Sequence, residues 1–334
     1  MPPTDDGLRD AAPVAAAPAV SVVVPAYNVA RYIGAALDSV FAQTFRDYEV
    51  IVVNDGSPDT PALERALAPY GGRVVYVRQE NRGPGGARNT GVLKARAPYV
   101  AFLDGDDVWL PDYLAAQMAV LRADPSLDLV YADAQLFGES VPEGLTLMRV
   151  APSRGPVTFE SLLRFECSVI TSCVVARRRS LVAAGLFDPS FVRSEDYDLW
   201  LRLALAGGSI AYQTRALARH RVHGESLAAD SARMFESQIA VYEKTARTPG
   251  LSRERLRIIE EQIRRCRADM ALTRGKELFA ARQFTDAAAA LREANGFYRS
   301  RKLGAALVLL RVAPRALWRV HNFRHGRRAG AAAA

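Results

Sequence analysis

No apolar run in the 334-residue chain approaches the ~18–20 residues that a membrane-spanning helix requires. Cysteine is scarce. The three present, Cys167, Cys173 and Cys266, match no zinc spacing, and an odd count argues against a disulfide framework. A reducing cytosol is therefore the expected setting. The first residues are rich in Pro and Ala, with Asp5, Asp6 and Asp10, and lack the basic-then-apolar order of a signal peptide. Residues 1–18 are expected to form a disordered tail. Both common phosphate-loop patterns are missing: Asn81 to Gly86 fits neither Gly-x4-Gly-Lys-Ser/Thr nor Gly-x-Gly-x-x-Gly. What remains is ordinary for a soluble globular protein, with 49% hydrophobic and 24% charged residues.

The charge is unevenly spread. From Ser231 onward 22 Lys and Arg face 9 Asp and Glu, whereas the preceding part carries 22 and 27. The net charge of +8 thus belongs to the C-terminal region. Its extreme is Arg299 to Ala334, with nine basic residues and no acidic one.

The N-terminal half reads as strands alternating with helical patterns. Val20 to Val24 is a β-rich run stopped by Pro25, followed by Ala26-Tyr27-Asn28 and a helical stretch over 30–41. Tyr48 to Val53 is a second strand, closed by Asn54-Asp55-Gly56-Ser57-Pro58-Asp59. Val74 to Val77 is a third, after which Asn81 to Gly86 opens a helix carrying Arg88 and Asn89 on its first turns. Tyr99 to Leu103 is the fourth, and it breaks into Asp104-Gly105-Asp106-Asp107. Such alternation predicts βαβ units and a mostly parallel, Rossmann-like sheet flanked by helices, with ligands beyond the carboxyl ends of the strands. Polar or Gly-rich loops follow all four strands there, which makes a nucleotide-sized rim.

Three carboxylates within four residues repel one another and call for a cation, a proton or several N–H donors. Hard divalent ions such as Mn²⁺ or Mg²⁺ take such oxygens together with substrate phosphates. The competing reading is an acidic turn before a helix, with Asp107 or Asp112 near its cap.

Farther on, Leu127 to Tyr131 is a fifth strand, and 138–157 reads as an irregular hairpin or lid. Ser194-Glu195-Asp196-Tyr197-Asp198 opens another helix, with Ser194 as its expected N-cap. Acids in a first turn gain ~0.3–1 kcal/mol each from the helix dipole. Three exceed what capping needs, and a carboxylate held there can take a proton from a bound hydroxyl. His220 and His223 follow another apolar strand. His223 is the candidate ligand, whereas His220 reads as a strand-end residue.

These segments together resemble the family 2 glycosyltransferases, which have the GT-A fold. Ser21 to Asn28 resembles the opening strand with P-x-Y-N, and Val52 to Asp59 resembles V-x-D-G-S-x-D. Asn81 to Gly91 is similar to N-x-G-x-x-x-A-R-N-x-G, Asp104-Gly105-Asp106 to D-x-D, Glu195 to Arg202 to E-D-x-D-L-x-x-R, and Arg221 to Ser226 to R-x-H-x-x-S. Asn54 stands where many relatives carry Asp. The resemblance implies a nucleotide-sugar site of Pro25, Tyr27, Asn28, Asp55, Arg88, Asn89, Asp104 and Gly105. Within it Tyr27 and Asp55 would face the base, with Asp104 near the ribose. It implies Asp106 and His223 as ligands of Mn²⁺ or Mg²⁺ on the diphosphate, and Asp196 as catalytic base with Glu195 as fallback. Several spanning helices and a Q-x-x-R-W motif, typical of processive membrane synthases, are missing.

The resulting expectation divides the chain into a tail (1–18), a GT-A domain (19–229), a helical appendage with one tetratricopeptide-like helix pair (230–298) and a basic amphipathic tail (299–334). Basic residues with Leu303 to Leu310, Trp318 and Phe323 suit an interfacial helix on anionic lipid, with no nucleic-acid motif beside them. The expected activity is metal-dependent, inverting, non-processive transfer from a nucleotide-diphosphate sugar to a glycan or lipid-linked saccharide of the cell envelope. It would take place in the cytoplasm or peripherally at the inner membrane face. Two alternatives remain: a sugar-1-phosphate nucleotidyltransferase, whose Gly-rich basic loop after the first strand is replaced here by Pro25-Ala26-Tyr27-Asn28, and a non-catalytic sugar-nucleotide-binding scaffold.

Overall fold

The computed structural model describes residues 17–139, 141–224 and 230–319. The expected tail over 1–16, Ser226 and residues 320–334, with Phe323, lie outside the described residues.

Four apolar runs make the parallel part of one sheet. β1 (Val20–Ala26) is followed by α1 (Ile33–Phe41), β2 (Tyr48–Asp55) by α2 (Thr60–Leu67), and β3 (Val75–Gln79) by α3 (Gly83–Lys94), which leads to β4 (Tyr99–Phe102). β1 lies between β2 and β4, and β3 flanks β2, all parallel. Strands buried on both faces need no polar alternation, which is why these read as continuous Val and Ile runs. Register aligns their carboxyl ends: Ala26 lies beside Asn54, and Asp55 beside Gln79.

The second half of the chain completes the sheet with mixed polarity. A short β5 (Val108–Trp109) precedes α4 (Tyr113–Ala123) and β6 (Leu127–Gly138). After α5 (Leu147–Val150) and α6 (Phe159–Leu163) come β7 (Val174–Arg177), α7 (Arg178–Ala183), α8 (Glu195–Leu205) and β8 (Ser209–Val222). The order is β3-β2-β1-β4-β7-β6-β8-β5, with β7 antiparallel to both neighbours and β5 antiparallel to β8. The fifth expected strand runs on to Gly138, because β8 covers it along its whole length. β5 and β7, two and four residues long, escape a reading based on apolar run length.

Side chains alternate between two cores. Val22 and Val24 join Ile33, Leu37, Leu63 and Leu114 on one face. Val23, Ile51 and Phe102 join Leu162, Trp200 and Leu203 on the other. Helices α9 (Ser231–Ala246), α10 (Arg253–Ala280), α11 (Phe284–Tyr298) and α12 (Arg301–Val312) follow. Val241 and Tyr242 of α9 and Ile258, Ile259 and Cys266 of α10 are part of the second core. The far end of α10 builds a small third core with α11 and α12, around Phe279, Ala287, Leu291 and Leu310. Among the described residues no helix is long and apolar enough to cross a membrane.

Candidate active site

The loops beyond the parallel strand ends are stitched to one another by side chains. Asn28, in the left-handed region at φ 55°, donates its N–H to Ser57 Oγ at 2.6 Å, and Ala30 donates to Asp59 Oδ2 at 2.8 Å. Asn tolerates this backbone better than other residues with a Cβ. Asp55 is buried and accepts from Gln79 Nε2 at 2.6 Å and from the Arg82 N–H at 2.9 Å, both on Oδ1. Tyr27 is 50% exposed on the same rim. Asn54 faces inward instead: its amide donates to Thr60 Oγ1 and the Tyr76 hydroxyl and accepts from the Ser57 N–H. An amide supplies the donors that a carboxylate at this position lacks.

The acidic loop after β4 lies against this rim. A Cβ on Gly105 would stand 2.9 Å from Val29 Cγ2 and 3.2 Å from the Pro25 carbonyl, so only glycine lets the loop sit this close to β1. Its three carboxylates diverge. Asp104 accepts from Arg88 Nη2 at 2.6 Å and, through its N–H, donates to Ser172 Oγ at 3.1 Å. Asp106 meets His223 Nε2 at 3.0 Å. Asp107 is 1% exposed, accepting from the Arg221 N–H at 2.8 Å and pairing with His220 Nδ1 at 2.9 Å. Asp107 is therefore neither a helix cap nor a rim ligand; it anchors β8. Asp112 takes the N-cap position of α4 without a side-chain cap bond. Burial opposes charge on His220, but Asp107, with Asp104 and Asp106 behind it, holds its pKa up at about 9.

The acids that open α8 also have separate partners. Glu195 is buried and accepts from Arg88 Nη1 at 2.6 Å. Asp196 is half-buried; its Oδ2 accepts from Thr171 Oγ1 at 2.7 Å and its Oδ1 from the Tyr197 N–H. Asp198 is buried between Arg202 and Lys244. Burial pushes the Glu195 carboxyl up to about 7, with Asp196 adding to the rise and Arg88 opposing it. Ser194, expected as an N-cap, occupies that position at φ 58° without a side-chain cap bond, and its buried Oγ has no partner among the described residues. A non-glycine residue held there stores strain of ~1 kcal/mol or more directly before the acids.

Arg88 joins the two acidic clusters. Arg88 is 5% exposed, and its guanidinium bridges Asp104 to Glu195, which lies 107 residues beyond Arg88. Burial works against its charge, yet Asp104 and Glu195 keep its pKa above the ordinary value, and Arg88 in turn keeps Asp104 below its own. Asn89 is committed too, donating to the Phe187 carbonyl at 2.7 Å and accepting its N–H at 2.9 Å. Both residues, expected to contact the nucleotide sugar, thus spend these polar groups inside the protein. Thr171 and Ser172, which support Asp196 and Asp104, carry no short motif that would mark them in advance.

Asp106 and His223 fit a divalent ion chemically. Burial, Asp107 and Asp104 raise the Asp106 carboxyl above its ordinary pKa, a local excess of negative charge that a cation relieves. Carboxylate oxygen and imidazole nitrogen both suit Mn²⁺. Among the described residues no group of three or more His, Cys, Asp or Glu side chains is placed to hold an ion. The remaining ligands would have to come from substrate phosphate and water.

The model of the glycosyl transferase family 2 domain matches residues 21–182. An uncharacterized glycosyltransferase of Rickettsia prowazekii is 32% identical over 231 residues, covering 68% of this chain and 70% of that protein. The Escherichia coli UDP-Glc:alpha-D-GlcNAc-diphosphoundecaprenol beta-1,3-glucosyltransferase is 31% identical over 185 residues, covering 55% and 69%. Some relatives are much longer, and the match spans only 35% of an uncharacterized glycosyltransferase of Rickettsia felis. Among solved structures, Staphylococcus aureus TarS with UDP-GlcNAc superposes with a TM-score of 0.60 at 18% identity, covering 92% of each chain. The mannosyltransferase PcManGT of Pyrobaculum calidifontis, solved with GDP-Man and Mn²⁺, gives 0.60 at 23% identity, covering 94% of this chain and 86% of that one. The chain belongs to glycosyltransferase family 2, built on the GT-A fold.

Proposed function

We propose that this protein transfers a glycosyl group from a nucleotide-diphosphate sugar to a hydroxyl of a glycan or lipid-linked saccharide, with inversion and one sugar per encounter. The observation that carries the reading is the Arg88 bridge, which brings the donor-side Asp104 and the Glu195–Asp196 pair to one guanidinium. Relatives and neighbours act on or bind UDP-Glc, UDP-GlcNAc and GDP-Man, which supports a nucleotide-sugar donor.

In this reading Tyr27 stacks on the base, Asp55 bonds its edge, and Asp104 reaches the ribose; Pro25, Asn28 and Gly105 shape the backbone around them. Asp106 and His223 would hold a divalent cation, which when bound would supply positive charge for the leaving diphosphate. Asp196 is the base. Glu195 is tied to Arg88, whereas Asp196 is half-buried and oriented by Thr171. Asp196 takes the acceptor proton as that oxygen bonds to the anomeric carbon and the bond to the diphosphate breaks. A single displacement from the opposite face inverts the centre. Arg88 and Asn89 position the site and do not touch the donor.

Asp196→Asn keeps the Thr171 hydrogen bond and removes the base. Transfer should fall by about 10²–10⁴-fold, read as nucleoside diphosphate release, with nucleotide affinity unchanged by calorimetry. Undiminished turnover would overturn the assignment.

A further inference from the structure

Beyond Asp106 and His223 the rim turns cationic and aromatic. Arg219 and Arg221 are two residues apart on β8 and so lie on one side of the strand. The Arg221 guanidinium stands 4.3 Å from the ring centre of Phe137 and 4.4 Å from that of Tyr32. Arg219 stands 4.5 Å from Phe137, and Arg31 4.5 Å from Tyr32. Three guanidiniums therefore share two rings. The cluster abuts the candidate metal pair: Arg221 Nε donates to the Asp106 carbonyl at 2.9 Å, and the Tyr32 and His223 ring centres are 5.6 Å apart. Among the described residues neither Arg219 nor Arg221 forms an ion pair with a carboxylate.

Like charges gathered this closely repel, and ring contacts offset only part of that cost. A planar guanidinium against a ring can still present N–H edges, in the geometry that suits phosphate oxygens. The cluster spans the rim, since Arg31 and Tyr32 follow β1 whereas Arg219 and Arg221 belong to β8. β8 and β5 form one end of the sheet, whereas β1 and β2, whose loops carry Tyr27 and Asp55, lie in its other half. Arg219 is exposed, paired in register with Val108 of the edge strand, and farther along β8 from His223 than Arg221 is.

We propose that Arg219 and Arg221 form a second anion site that holds a phosphate or diphosphate on the acceptor, distinct from the diphosphate of the donor. This rests on the glycosyl-transfer reading and narrows its acceptor to a phosphate-bearing saccharide. Held there by its phosphate, the acceptor would present a hydroxyl to Asp196 without any further contact specific to its sugar.

Hexyl phosphate is a suitable probe, titrated calorimetrically into the full chain already saturated with UDP or GDP, with hexanol as the uncharged control. The nucleotide-saturated wild type should bind one equivalent of hexyl phosphate and no hexanol. Arg219→Gln should weaken that binding tenfold or more, Arg219→Lys should restore most of it, and nucleotide affinity should stay within twofold. Arg219 is exposed, so folding is expected to survive these changes. Failure of hexyl phosphate to bind beside the nucleotide would overturn the second site. A tenfold loss of nucleotide affinity in Arg219→Gln would assign the arginines to the donor instead. Failure of the transfer reading looks different: neither UDP nor GDP binds the wild type, and the hexyl phosphate titrations still read the anion site alone.

Discussion

Glu195, Asp196 and Asp198 are three acids in four residues, and each has a different neighbour: Arg88, Thr171, and the Arg202–Lys244 pair. Their roles follow from those neighbours. Glu195 carries a pH signature. Its pKa of about 7 in the folded protein exceeds the ordinary 4.5, chiefly through burial, so the folded state binds its proton more tightly than the unfolded state. Stability from this group is present below about pH 4.5 and is lost as pH rises through 7. Thermal unfolding followed from pH 5 to 7.5 should show the wild type losing stability relative to Glu195→Gln, by up to about 3 kcal/mol over the window. Parallel curves would show that Arg88 already holds the carboxylate ionised. Asp196 alone of the two combines partial exposure with an orienting hydroxyl, which no sequence spacing distinguishes from its neighbour.

At the scale of elements, α3 is packed so closely on β1 that a Cβ on Gly91 would stand 2.2 Å from Val23 Cγ1. Gly91→Ala must displace the helix that carries Arg88 and Asn89. The expected cost is about 1–3 kcal/mol of stability, with loss of transfer at temperatures where the variant is still folded. Denaturant unfolding and a rate assay check both. At the other end of the chain α12 turns Leu303, Leu307 and Leu310 toward the third core. It leaves Val308, Leu309 and Val312 exposed among Arg301, Lys302 and Arg311. That face should bind vesicles containing anionic phospholipid more than neutral ones, with each basic residue near the surface worth about 1 kcal/mol. Val308→Ser with Val312→Ser should lower co-sedimentation and leave salt sensitivity in place; equal sedimentation with and without anionic lipid would refute the idea. Helix pattern and basic composition made α12 readable in advance. The lengths of β5 and β7, by contrast, are set by how much of each neighbouring strand remains to be paired.

For the whole molecule, the proposed donor site draws on both halves of the chain, Asp55 and Asp106 from one and His223 from the other. Ligand binding should therefore stabilise the fold as a unit. A nucleotide sugar at about 100 times its dissociation constant should raise stability by about 2.7 kcal/mol, and a thermal-shift series with and without Mn²⁺ reads both donor and ion. No shift with any of UDP-Glc, UDP-GlcNAc or GDP-Man would exclude these three as donors. A shift unaffected by Mn²⁺, and equally unaffected in Asp106→Ala, would remove the ion from the site.

The amino-acid sequence by itself determined the four parallel strands, the helices between them and the rim on which Tyr27, Asp55, Asp104 and Asp106 fall. Those features depend on local periodicity and on the polar breaks at strand ends, which are legible within about ten to fifteen residues. Only the tertiary structure decided how the charges are shared. Arg88 meets Glu195 across 107 residues and His220 meets Asp107 across 113, contacts that exist only once the sheet has closed around them. Burial then sorts the acids into anchors, such as Asp107 and Glu195, and half-buried candidates, such as Asp196. It also gathers Arg219 and Arg221 on the rings of Phe137 and Tyr32, because the full-length pairing of β6 with β8 brings those residues together.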